Sequence, residues 1–383
     1  MSKNQSGLSI GFLYDDTLDK NDGVAQYVKT LGAWLTSQGH DVTYLVGNSK
    51  IREWKKGRVY SISKNLPVRW GGNRLSISLI PRVRLIKKIL DHRKFDVVHV
   101  QSPYSPFMAK RVINLLSPEV AVVGTFHVYP ANTIAYKSSK ALRIIYGRSL
   151  LRFDRQISVS SAAQSYAKDA FNIDSEIIPN VVDLERFKST RAHFEPHKIV
   201  FLGRLVERKG VKYLIKAFNL LERNLPDAHL VIAGDGPQRP ALEALVKEYN
   251  LQAKVSFLGY IEEEDKPSIL ASAAVACFPS LYGESFGIVL AEAMAAGSGS
   301  ILAGDNPGYS STLKEKPELL VDPKNTEEFA SKLYGLLVNK KKQREIHDWQ
   351  NNKAKYFDIE HVGPKMVRVY HEAIASRAKS RHN

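Results

Sequence analysis

The chain has 383 residues, 44% hydrophobic and 25% charged, with 24 Gly and 17 Pro. That is roughly two and a half times a domain of about 150 residues, at ordinary globular composition, so two cores are expected and collagen-like, low-complexity or wholly disordered chains are excluded. Net charge is +16, and the single cysteine, Cys277, excludes an internal disulfide or a Cys-rich zinc or iron–sulfur centre and suits a reducing compartment.

After a polar MSKNQSG, only seven largely apolar residues, Leu8 to Tyr14, precede Asp15 and Asp16, which is a strand and no export signal. The turn that follows, YDDTLDKNDGVAQYV, ends in Gly23 at a predicted helix start, where backbone N–H groups would favour a phosphate. The three-glycine dinucleotide fingerprint is missing, so a purely structural turn glycine fits equally well. A second strand is expected at Val42–Val46.

Residues 51–94 then hold 13 Lys/Arg against two acids, Glu53 and Asp91, a local +11 suited to a phosphate-bearing surface, either lipid headgroups or nucleic acid. Within them Arg69, Trp70 and Arg74 are read in a Gly-rich loop, and Val83–Lys94 as a helix. Val83, Leu85, Ile86, Ile89 and Leu90 lie on one side of it and Arg84, Lys87, Lys88, Asp91 and His92 on the other. A crossover helix burying its apolar side and a membrane-facing cationic helix both satisfy that pattern.

Further strands are predicted at Val97–Val100, Val120–Phe126 and Ile157–Val159, with His127 directly after the second of these, where open parallel sheets present ligand-facing residues. The seam is expected near 180–197, where IPNVVDLERF gives way to a polar stretch, Lys188 to Lys198, that suits a linker between domains 1–187 and 195–360. The second half repeats the rhythm at Ile199–Leu202, Leu230–Ala233, Val255–Leu258, Val275–Phe278 and Ser300–Ala303. Because runs such as AVVGTF and HLVIAG are apolar almost throughout, they read as parallel strands covered on both faces, giving two doubly wound α/β domains. Met366, Val369, Tyr370 and Ile374 recur at helical spacing in Val362–Ala378, a helix compatible with either domain. The longest uncharged stretch, residues 267–283, carries two prolines and several serines and does not read as a membrane span.

Two loops of the second half carry chemistry. In FLGRLVERKG, Arg204 and Lys209 project after a strand, a fork and a point charge suited to one diphosphate. In GESFGIVLAEAMAAG, Glu284 and Glu292 supply carboxylates that suit vicinal hydroxyls, and Glu292 needs a partner inside so apolar a helix.

Taken together, the Gly23 turn, Arg204 and Lys209, IAGDGP (residues 232–237) and the Glu284/Glu292 pair resemble retaining glycosyltransferases of family 4. FLGR, TFH and GESFGIVLAEAMAAG place the chain nearest the phosphatidylinositol alpha-mannosyltransferase type, over nearly its whole length. The resemblance implies a GT-B fold, with two doubly wound Rossmann-like domains facing a central cleft. The second would bind the nucleotide-sugar, and a C-terminal helix at 361–383 would return to the first. By the same resemblance Arg204 and Lys209 hold the donor diphosphate, Glu292 its ribose and Glu284 the transferred sugar. Ser285, Phe286, Gly287 and Ile288 line the donor, Ile261 and Lys266 meet its base, Gly23 faces the phosphate and His127 sits beside the sugar. Tyr14, Asn73, Arg74, Arg84, Lys87 and Lys88 would face acceptor or membrane. Three departures stand out: Asp22 in place of a second glycine, Val181 in place of glycine, and Ser298-Gly299-Ser300 in place of a bulkier stretch.

The implied function is retaining transfer of mannose from GDP-mannose to a lipid such as phosphatidylinositol, by a monomer peripheral to the inner face of the plasma membrane. A UDP-sugar with a diacylglycerol or cell-surface polysaccharide intermediate as acceptor is the alternative. No D-x-D adjoins a strand end, so no metal or other cofactor is expected at the donor phosphates. No helix-turn-helix, RNP or zinc pattern accompanies the basic charge, so nucleic acid is not an expected partner.

Overall fold

Strand-forming runs alternate their side chains between two cores, so a sheet covered on both faces is the natural outcome. In the computed structural model Ser9–Tyr14 (β1) sends Ile10, Phe12 and Tyr14 to one core and Leu13 to the other. Asp41–Val46 (β2) does the same with Val42, Tyr44 and Val46 against Leu45. The structure describes residues 7–20, 22–70, 73–103, 108–130, 136, 137, 139, 140, 143, 147–188 and 194–380, with side chains described except at 66–70, 73–77, 79, 147 and 148.

The chain divides into two units, residues 1–181 with 359–383, and residues 182–358. The seam thus falls at Val181/Val182, at the N-terminal edge of the 180–197 span in which it is expected. Val182 bridges to Asp358, so the outgoing and returning chains cross at one place.

In the first unit Glu53–Trp54 (β3), Gly57–Ser61 (β4), Ser63–Trp70 (β5), Asn73–Pro81 (β6), Val97–Gln101 (β7), Ala121–Phe126 (β8), Arg155–Ser158 (β9) and Glu176–Ile177 (β10) follow β2. The main sheet runs β10-β9-β8-β7-β1-β2-β4-β3 and is parallel except for its β3 edge. Gly23–Ser37 (α1) covers one face, while Val83–His92 (α2) and Met108–Leu115 (α3) cover the other. The β5 and β6 strands pair as an antiparallel hairpin apart from this sheet. Arg69, Trp70 and Arg74, read as part of a Gly-rich loop, therefore lie in paired strands, while residues 71 and 72 between them lie outside the described residues. The side chains of Asn73 and Arg74 lie outside the described residues.

In the second unit the parallel sheet runs β13-β12-β11-β14-β15-β16. Its strands are Glu195–Leu202 (β11), His229–Ala233 (β12), Val255–Gly259 (β13), Ala273–Phe278 (β14), Ser300–Gly304 (β15) and Leu320–Val321 (β16). Strand order reverses between β11 and β14, the switch point at which open α/β sheets bind ligands.

The last helix, Ile359–Lys379, packs on the first unit through Val362, Met366, Val369, Tyr370 and Ala373. Trp34 Nε1 donates to Glu360 at 2.9 Å, and Arg377 pairs with Asp154 at 2.8 Å. The expected return of this helix is thus what the structure shows.

Candidate active site

Two sets of candidate residues result, one in each unit. In the second unit, Arg204, Arg208 and Lys209 follow β11, and Glu284 follows β14, so the switch point gathers them. The two loops are stitched together where Leu281 N–H donates to the Arg208 carbonyl at 2.7 Å.

Glu284 sits between two cations, Arg208 at 2.6 Å and Lys209 at 2.8 Å. Burial works to raise its carboxyl, but Lys209, Arg208 and a hydrogen bond from Ser280 outweigh that and hold it below the usual carboxylate range. Lys209 is pressed below its ordinary value by burial and by the Arg208 and Arg204 charges, against the pull of Glu284. An excess of cation over anion in a largely buried loop creates a positive potential that favours an anionic ligand. Arg208 was missed by the sequence reading. Its only local signal is adjacency to Lys209, and its partner lies 76 residues away.

The helix Ile288–Ala296 (α4) starts just past this cluster, and its N-cap, Gly287, has no side chain to cap it. Its first N–H groups therefore point at the loop without an intrachain capping carboxylate, an arrangement suited to phosphate. The contrast with α1 is direct. There Asp22 accepts from Val24 N–H and Ala25 N–H at 3.1 and 3.0 Å, and Tyr14 donates its hydroxyl to the same carboxylate. Gly23 does open the helix as expected, but an anion at that terminus has to displace Asp22. The Asp22 that stands in place of the glycine fills the place proposed for phosphate, and Tyr14 is buried against it.

Glu292 is 5% exposed inside α4 and finds the partner its setting demands in Lys266 at 3.3 Å. Lys266, the first residue of Lys266–Ala271 (α5), also meets Glu263 at 2.6 Å. Burial would lower the ammonium, but Glu292 and Glu263 overcome it and hold Lys266 charged. Glu263 was hidden in an acidic run, EEED, that reads as solvated loop. Ile261, Ser285 and Ile288 are half-buried, and Phe286 is buried.

In the first unit, His127 follows β8 as expected and is 6% exposed. Gln101 Oε1 accepts from its Nε2 at 2.7 Å, which fixes the proton on Nε2. Burial lowers His127 to about 3, with an Asn180 hydrogen bond acting in the opposite sense, so the ring is neutral at physiological pH. His99 behind it bonds Tyr370 and Thr125 at 2.9 and 2.6 Å and is likewise lowered by burial to about 3.

Arg84, Lys87 and Lys88 are exposed on α2. Leu85, Ile86, Ile89 and Leu90 are spent in the core, so this helix offers a partner surface charge and no apolar face. Among the described residues no group of His, Cys, Asp and Glu could hold a metal ion, and no helix is long and apolar enough to cross a membrane.

Family models match both units: "Glycosyltransferase Family 4" over residues 21–186 and "Glycosyl transferases group 1" over 183–355. The phosphatidyl-myo-inositol mannosyltransferase of Mycobacterium tuberculosis is 30% identical over 97% of this chain and 99% of its own length. The protein of that name from Propionibacterium freudenreichii is 28% identical over 98% and 97%. Among solved structures, Anabaena HepE in complex with UDP superposes with TM-score 0.74 at 16% identity, covering 94% of this chain and 99% of that one. Sucrose-phosphate synthase from Thermosynechococcus elongatus gives 0.72 at 21%, covering 96% and 100%.

Proposed function

The chain belongs to glycosyltransferase family 4 and has the GT-B fold, and from that premise we propose that it moves mannose from GDP-mannose to a lipid acceptor such as phosphatidylinositol, with retention at the anomeric carbon. The observation that carries the donor half is the pairing of Arg208 and Lys209 with Glu284, with the Arg204 charge near Lys209, beside the uncapped start of α4. The near full-length similarity to proteins named phosphatidyl-myo-inositol mannosyltransferase supports the acceptor half.

In this reading the cations and α4 amides stabilise the leaving diphosphate as the anomeric carbon becomes oxocarbenium-like. The acceptor hydroxyl attacks on the face from which the diphosphate departs: the new C–O bond forms, the sugar–phosphate bond breaks, and a phosphate oxygen takes the proton. Lys209 exchanges Glu284 for phosphate, which leaves Glu284 to accept from sugar hydroxyls. Glu292 takes the ribose hydroxyls and Lys266 the guanine O6, with the protein cations serving in place of a metal ion. His127, neutral and fixed with Nε2–H, is assigned the sugar. The exposed charges of α2 attach the enzyme peripherally to an anionic inner leaflet.

Calorimetry with GDP and UDP tests the base assignment. GDP is expected to bind more tightly, and the preference to shrink in Lys266→Ala. Tighter UDP binding by the wild type would move the donor to the UDP-sugar alternative.

A further inference from the structure

Behind Glu284 lies a second, fully buried layer. Tyr309, in the helix Pro307–Thr312 (α6), is 0% exposed and its hydroxyl is 3.2 Å from Ser280 Oγ, itself 1% exposed. Ser280 in turn hydrogen-bonds Glu284. An ionised carboxylate only accepts, so Ser280 must donate to Glu284, and the remaining contact has Tyr309 O–H donating to Ser280 Oγ. Burial, followed by the Glu284 charge, pushes the Tyr309 phenol far above its ordinary range, so it stays a donor at any working pH.

The layer is built tightly. Gly287 has φ +84°, and a Cβ there would meet the Tyr309 ring at 2.4 Å. A Cβ on Gly308 would meet the Glu284 carbonyl at 2.3 Å. Asn306 caps α6 and also donates to the Ser280 carbonyl at 2.9 Å, while Thr312 donates to the Phe286 carbonyl at 2.6 Å. From its N-cap, Asn306, to its last residue, Thr312, α6 therefore grips the loop that carries Glu284.

We propose that Tyr309 is a positioning residue, acting through Ser280 to fix the Glu284 carboxylate at the donor site. The inference rests on the donor-site reading of Glu284 and adds a residue that never touches the sugar. Without the Tyr309 hydroxyl the Ser280 hydroxyl can rotate away, and Glu284 loses the partner that, unlike Arg208 and Lys209, is not a cation called on by the diphosphate.

The test compares wild type, Tyr309→Phe, Ser280→Ala and the double variant in GDP-mannose turnover, with melting temperatures and crystal structures of each. Tyr309→Phe keeps the ring, so melting is expected to stay near wild type. Its kcat is expected to fall about fivefold, the scale of one hydrogen bond, with KM for donor within about twofold. Ser280→Ala should fall at least as far, move the acid limb of the pH profile upward, and show no further loss when Tyr309→Phe is added. Crystals of Tyr309→Phe should show the carboxylate displaced from its wild-type position. Wild-type kcat in Tyr309→Phe, or losses that add in the double variant, would overturn the proposal. Lys209→Ala separates the two claims: unchanged GDP and UDP binding in that variant sinks the donor-site reading. The Tyr309→Phe crystal structure then decides the relay alone, an unmoved Glu284 contradicting it.

Discussion

At the scale of single residues, Glu284 and Lys266 stay charged because partner charges overcome burial, whereas burial prevails at Asp15, His99 and His127. On the proposed donor site Glu292 and Lys209 hold the two ends, so Glu292→Ala and Lys209→Ala are expected to raise the barrier to transfer by about 2.7–4 kcal/mol each. Steady-state rates with near-wild-type melting check this, and undiminished turnover in both would refute the assignment. Asp15 is a different case. Burial raises its carboxyl to about 8, and Oδ1 has no hydrogen-bond partner among the described residues. The folded state thus holds its proton where the unfolded chain has lost it, so stability falls as pH rises from about 4 to 8. Asp15→Asn should melt with wild type near pH 4 and a few degrees higher at pH 8; equal melting at both would contradict this. His99 and His127 have the opposite sign. Both are neutral when folded and protonate only in the unfolded chain below about 6.5. The stability present at pH 7 is lost as pH falls from 6.5 toward 3, by roughly 1.4 kcal/mol per pH unit for each ring. Imidazole nitrogen shifts of His127 should hold their Nε2–H pattern from pH 5 to 8, and titration near 6.5 would contradict its burial. Arg204, Lys209, Glu284 and Glu292 were legible because each sits at a strand end or in a helix of conspicuous composition. Arg208, Glu263, Ser280 and Tyr309 were not, because each gains its role from a partner brought near only by folding.

At the scale of elements, apolar runs and helix periodicity carried the reading, and errors arose where one pattern served two structures. The helix at residues 83–92 matches both a membrane-facing and a crossover pattern, and its neighbours in the core decide for the crossover. The β5–β6 hairpin was read as loop because its glycine pair drew attention away from the alternation on either side. These outcomes sharpen the expectation for membrane binding. With its apolar side buried, the attachment proposed for α2 rests on charge alone, each Lys or Arg contributing about 1 kcal/mol near an anionic surface. Co-sedimentation with phosphatidylinositol vesicles should weaken as salt rises and fall further when Arg84, Lys87 and Lys88 are changed to Ser. Equal binding to neutral vesicles, or an unaffected triple variant, would remove α2 from the attachment.

At the scale of the whole molecule, two parallel sheets were visible in the sequence because strands buried on both faces lose their alternation. The β11/β14 switch point was not, since strand order is a tertiary fact. The helix at residues 359–379 matched either unit in sequence, and Trp34, Arg155 and Asp154, which choose the first unit for it, lie far upstream. Each unit matches its own family model, so the activity is expected of the full chain. The most direct measurement is transfer by the full chain from a panel of GDP- and UDP-sugars to phosphatidylinositol and diacylglycerol vesicles, with the product's anomeric configuration read by NMR. An α-mannosyl phosphatidylinositol from GDP-mannose is expected, and turnover of no donor, or an inverted product, would contradict the proposed retaining transfer.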